Sequence, residues 1–197
     1  MKSYAIANLD GVPAPEFFVR IERLVRAGVD SIQLRAKPLD DRLLVEVAQR
    51  CRSLIPPGAT RFIINGRPDI ALASRADGVH LPAEGLPARA VRAVGEGLIL
   101  GRSCHTLEAC REAEEEEVES IVFGPVFDAR SKESPARVTK HDLVEASKLG
   151  AEIYALGGIA RENLETLRGL PIAGIAAVTL FMADEPLEEI VESVRAL

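Results

Sequence analysis

Short apolar runs alternate with amphipathic stretches from one end of the chain to the other. The runs Tyr4–Asn8, Ser31–Ala36, Arg61–Asn65, Gly78–Leu81, Leu98–Arg102, Ser120–Phe123, Glu152–Leu156 and Ile172–Val178 are rich in Ile, Val, Leu or Ala and read as strands. Helical spacing covers Glu16–Ala27, Asp40–Ser53, Pro68–Ser74, Pro87–Val94, Leu107–Glu117, His141–Leu149, Arg161–Arg168 and Pro186–Ala196. Strict β-then-α alternation predicts a parallel sheet, and eight such units predict a closed (β/α)8 TIM barrel in a short version, an α/β fold. An open doubly wound sheet is the rival, with more strands than its length normally carries. No Pro-, Gly- or Ser-rich linker interrupts the pattern, so residues 1–197 form a single domain. The longest loop, Gly124–Thr139, is polar and holds Arg130, Lys132 and Arg137. Loops of that length inside compact domains often carry function. The acidic run Glu114–Glu117 closes a helical stretch and reads as a solvated helix face.

A barrel of this kind puts its site at the C-terminal ends of its strands, so each strand end is read for inward polar groups. In the second strand, alternation sets Gln33, Arg35 and Lys37 on one face and Ile32, Leu34 and Ala36 on the other. The apolar face meets the helices, which turns the polar triplet toward the mouth. Two inward cations call for an anion, either a ligand or a carboxylate from another strand. Asn65, at the end of the third strand, can orient a polar heterocycle or cap the helix opened by Pro68. His80 and His105 stand at neighbouring strand ends and are candidates for acid/base work, His105 with the alternative of helping to begin a helix capped by Thr106. Gly157-Gly158 after the seventh strand and Val178-Thr179 after the eighth fit a phosphate, because glycines let backbone N–H groups approach it and Thr179 adds a hydroxyl.

Composition narrows the partners. A net charge of −6 repels nucleic acids and anionic membranes, and 4% aromatic residues with no Trp leave little for base stacking. Cys51, Cys104 and Cys110 have no metal spacing and read as reduced thiols of a cytoplasmic protein. Neither a signal peptide nor a long apolar span is evident. A homodimer is compatible with the sequence.

The ordered set Gln33–Lys37, Ile64–Arg67 through Ala76–Leu81, Gly101–His105, Gly124–Phe127 through Ser131-Lys132, and Tyr154–Ile159 resembles the thiamin phosphate synthase and TenI-type thiazole tautomerase family across nearly the whole chain. The resemblance implies that Gln33, Arg35, Lys37, Asn65 and Lys132 surround a pyrimidine diphosphate. It puts Gly157-Gly158 and Val178-Thr179 at a thiazole phosphate; Ser103 and Ser131, within the same resembling stretches, are further candidate substrate contacts. The family's synthases hold magnesium on two aspartates. Gly66 stands at the first of these positions, and Leu81–Gly85 replaces the run that carries the second. Hard cations need oxygen ligands, so no metal or cofactor is expected unless the chain is a synthase. The expected activity is therefore a metal-independent thiazole tautomerase. The alternatives are thiamin phosphate synthase and a non-catalytic regulator that binds a phosphorylated ligand. In the tautomerase branch the catalytic His follows the sixth strand, where this chain has Pro125. His80 is the substitute expected here, with Lys132 and His105 as further catalytic candidates.

Overall fold

The computed structural model describes residues 1–37, 39–127, 137–183 and 186–197. Its strands are β1 (Lys2–Asn8), β2 (Ser31–Arg35), β3 (Arg61–Asn65), β4 (Gly78–Leu81), β5 (Ile99–Cys104), β6 (Ser120–Phe123), β7 (Glu152–Leu156) and β8 (Gly174–Ala177). The helices are α1 (Ala14–Arg26), α2 (Asp41–Leu54), α3 (Pro68–Ser74), α4 (Ala88–Arg92), α5 (Leu107–Glu115), α6 (Lys140–Ala146), α7 (Thr179–Met182) and α8 (Leu187–Arg195), with a 3-10 segment at Arg161–Leu167. Every strand pairs in parallel with its sequence neighbours, and β1 pairs with β8 to close the barrel. The rival open sheet is excluded.

Two apolar layers follow from the strand alternation. Outward side chains such as Ile32, Leu34, Ile64, Val79, Leu100 and Ile175 pack under the helices in one large cluster. The helices answer with stripes at helical spacing: Phe17, Ile21 and Leu24 on α1, and Leu44, Ala48 and Cys51 on α2. Inward side chains make a second, separate cluster of Tyr4, Ile6, Ile63, Val122, Tyr154 and Ala176, which fills the barrel. At the N-terminal end the barrel is plugged by ion pairs of Glu152 with Lys2 and Arg61, and Tyr154 donates its hydroxyl proton to Glu152 at 2.8 Å. The pocket lined there by Tyr4, Ser31, Arg61 and Tyr154 lies at the end of the barrel away from the predicted chemistry.

Several boundaries differ from the sequence reading. β5 runs on to Cys104, which brings Ser103 into the strand, and β2 stops at Arg35, before Lys37. The Arg161–Leu167 helix is of the 3-10 kind. The expected eighth strand is shorter, and the chain past Ala177 turns into α7, whose Leu180, Phe181 and Met182 are buried. A single turn is too short to show helical periodicity, so this element has no sequence signature of its own. The acidic run is also more than a solvated face. Glu116 pairs with Arg102 at 2.8 Å and accepts the Ala88 N–H at 2.9 Å, tying α5 to β5 and to the start of α4.

Candidate active site at the C-terminal mouth

Gln33 is buried at 2% exposure inside the barrel. Its carbonyl accepts the Tyr4 hydroxyl at 3.0 Å, and its amide donates to Asn65 Oδ1 at 2.9 Å. A buried amide with both ends satisfied is held in one orientation, and it sets the Asn65 side chain in turn. Asn65 is thus a member of this interior network. The residue capping α3 is Arg67, without a side-chain cap bond. Two residues above Gln33, Arg35 is half-buried and donates to Asn8 Oδ1 at 2.7 Å and to Asp10 Oδ2 at 3.2 Å. The carboxylate weighed as its partner therefore exists, in the loop after β1. Lys37 is exposed beyond the end of β2, so the alternation that turns Gln33 and Arg35 inward does not extend to it.

His80 faces the interior, level with Asn65 in β3 and Gly101 in β5. It is 3% exposed. Its Nε2 is 2.7 Å from Ser103 Oγ, and its Nδ1 has no partner among the described residues. A side chain at position 101 would crowd that ring: a Cβ there would lie 3.1 Å from His80 Nδ1. Burial first, and the nearby Arg102 charge second, lower its pKa to about 4, so the imidazole is neutral at neutral pH. His105 is exposed at the rim and donates through Nδ1 to the Gly124 carbonyl at 2.6 Å, while Thr106 caps α5 by accepting the Ala109 N–H at 3.1 Å. Cys51, Cys104 and Cys110 are buried free thiols.

The β7 and β8 ends form the other part of the mouth. Gly157 and Gly158 have φ of +103° and +59°. Gly157 is wedged so closely against the next loop that a Cβ would lie 2.5 Å from Pro125 Cβ. The strand-six loop joins this edge through Val126 N–H to Leu156 O at 2.8 Å and Phe127 N–H to Gly157 O at 3.1 Å. Val178 precedes α7 and Thr179 begins it, both exposed. Ser131 and Lys132 lie outside the described residues.

The metal positions implied by the resemblance lack their carboxylates. Gly66 has φ of +69°, Gly85 sits in a turn closed by its N–H to Pro82 O at 2.8 Å, and Glu84 is exposed. Among the described residues, no group of three or more His, Cys, Asp and Glu is arranged to hold a metal ion. The residues present do not fit the family's magnesium.

Comparison with known proteins agrees with this architecture. The family model for thiamine monophosphate synthase matches residues 4–181. The chain belongs to the thiamine monophosphate synthase family. Within that family it is 34% identical to a putative thiamine-phosphate synthase of Geobacter sulfurreducens, over 98% of this chain and 92% of that protein. It is 36% identical to putative thiamine-phosphate synthase 2 of Aquifex aeolicus, over 84% of this chain and 90% of the relative. Among solved structures, thiamine phosphate pyrophosphorylase from Pyrococcus furiosus superposes with a TM-score of 0.86 at 26% identity, covering 98% and 93% of the two chains. The barrel is thus an enzyme of a thiamine-biosynthesis family. Among the described residues, no helix is long and apolar enough to cross a membrane.

Proposed function

We propose that the barrel binds a thiazole phosphate at the β7 and β8 ends and joins it to a pyrimidine diphosphate held at the β2 and β3 ends, as a thiamine-phosphate synthase. The observation that carries this reading is a mouth with two anion-seeking edges. Arg35 stands above the Gln33–Asn65 amide pair on one side, and glycine backbone with the exposed Thr179 lies on the other. Relatives of nearly equal length named thiamine-phosphate synthase support the transfer reaction over an isomerisation. In this reading Gln33 and Asn65 orient the pyrimidine ring. Arg35, with Lys37 reaching in from the rim, faces the diphosphate whose negative charge grows as it leaves. Ser103, fixed by His80, lines the floor between the two substrates.

One observation favours a second reading. Both carboxylate positions are glycine, and a departing diphosphate without metal must rely on Arg35, Lys37 and Lys132 alone. A tautomerase moves only a proton and needs no such neutralisation. Here the phosphate stays on the glycine edge, the substrate carboxylate meets Arg35, and the proton moves between ring positions through His80 or His105.

The purified protein given pyrimidine diphosphate and thiazole phosphate is expected to form thiamin phosphate. No product, together with aromatisation of a thiazole carboxylate phosphate, replaces the synthase with the tautomerase. Binding of the phosphates without turnover of either substrate leaves a non-catalytic ligand-binding protein.

A variant separates the metal question from the fold. Position 66 admits a side chain, since its Cβ would meet only the Pro82 ring, Cδ at 3.5 Å and Cγ at 3.6 Å, and aspartate tolerates the left-handed region. Position 85 does not, because a Cβ there would lie 2.9 Å from Pro82 O. Gly66→Asp alone is therefore expected to raise magnesium-dependent thiamin phosphate formation by roughly tenfold or more. Unchanged turnover at saturating magnesium would show that this position no longer limits the reaction.

A further inference from the structure

The glycine edge is held from outside by one side chain. Asn163, in the 3-10 segment, donates from Nδ2 to the Gly158 carbonyl at 2.8 Å, and its Oδ1 accepts the Ala160 N–H at 2.9 Å. The preceding carbonyl, Gly157 O, is taken by the Phe127 N–H at 3.1 Å. In a trans peptide the C=O and the following N–H point in opposite directions. Fixing the carbonyls of Gly157 and Gly158 therefore fixes the N–H groups of Gly158 and Ile159, directed away from those anchors. Neither N–H has an acceptor among the described residues. Without the anchors, two successive glycine-flanked peptides at φ of +103° and +59° are free to rotate and lose the arrangement.

We propose that Asn163 is a positioning residue that pre-organises the Gly158 and Ile159 N–H groups as a cradle for a phosphate monoester. This rests on the phosphate reading above and assigns the part of that site that the substrate does not touch. The two functions of Asn163 can be separated by Asn163→Asp. A carboxylate still accepts the Ala160 N–H, so the 3-10 segment keeps its cap. It has no donor for the Gly158 carbonyl, and an oxygen then faces an oxygen.

The test is titration of the whole protein with inorganic phosphate and with thiazole phosphate, followed by NMR and calorimetry. In the wild type, phosphate is expected to move the amide resonances of Gly158 and Ile159, and one Asn163 side-chain amide proton is expected to exchange slowly. Asn163→Asp at pH 8 is expected to weaken binding of both ligands at least tenfold. In turnover it is expected to raise KM for thiazole phosphate by a similar factor while kcat stays within about twofold, because the phosphate lies away from the reacting atoms. Asn163→Leu, which removes cap and clamp together, is expected to weaken binding at least as much and to lower the Tm as well. Wild-type binding with unchanged affinity in a folded Asn163→Asp protein overturns the role of Asn163 and spares the phosphate site. Phosphate shifts in the wild type confined to other residues, or no binding at millimolar phosphate, overturn both.

Discussion

Gly157→Ala is expected to abolish phosphate binding and to destabilise the barrel by about 4 kcal/mol. Two costs add. The backbone at φ of +103° lies where L side chains are strained, at about 1–3 kcal/mol. The new methyl would also sit 2.5 Å from Pro125 Cβ and 2.6 Å from its Cα, an overpacking worth roughly 1–3 kcal/mol. For a chain of this length, about 4 kcal/mol lowers the Tm by roughly 8–16 °C. Relief of the clash pushes the β6 and β7 loops apart, so the bond from Phe127 N–H to Gly157 O is lost with it. Gly169→Ala is the control. It has φ of +74° with open space around the new methyl, far from the mouth, and is expected to cost about 1–2 kcal/mol and leave phosphate affinity unchanged. Calorimetric melting with a phosphate titration checks both. Equal behaviour of the two variants would remove the glycine edge from ligand binding.

The second large effect concerns acid. His80 is neutral in the folded protein down to a pKa of about 4, whereas in the unfolded chain it protonates near 6.5. Between those values the unfolded state binds more protons, so stability rises with pH and is lost as pH falls from 6.5 through 4. The shift corresponds to about 3 kcal/mol. His80→Asn is expected to remove this share of the acid limb, flattening denaturant-derived stability over that window by a comparable amount. An unchanged slope would mean that His80 is not the group responsible. Turnover supplies a different readout. A loss of roughly 10²–10⁴-fold in His80→Asn marks a proton shuttle. A loss of about tenfold marks a residue that only orients Ser103 through one hydrogen bond.

Much of this was legible in the chain, for identifiable reasons. Period-two alternation in Ser31–Arg35 turned Gln33 and Arg35 inward because one face of a barrel strand must be apolar. The same rule does not reach Lys37, since alternation loses meaning once a strand has ended. Alternation from Gly78 turns His80 inward, while its burial depends on neighbours in space: β5 continues to Cys104 and brings Ser103 Oγ within 2.7 Å of the ring. Asp10 acts on a partner distant in sequence, and Asn163 lies in a segment whose pattern shows helical spacing alone, so neither stands out in the chain. Asn163 follows Gly158 by five residues, and a cap-forming residue just after a Gly-Gly turn was the available signal. The contacts of Arg102 with Glu116 needed three-dimensional neighbours to be seen.

The closure of the barrel also bears on how the protein is made. β1 pairs with β8, and the amino-terminal ammonium donates to the carbonyl of Val194 at 3.1 Å. The first strand of the barrel therefore waits for the eighth before its open edge is satisfied. Such pairings have high contact order and form slowly. Val178 and Thr179 reach the mouth only once β8 has been made, so a nascent chain carries the β2 and β3 half of the site long before it can grip a phosphate. A chain cut short before β8 exposes two unpaired strand edges, which makes incomplete copies prone to aggregate and ready targets for proteolysis.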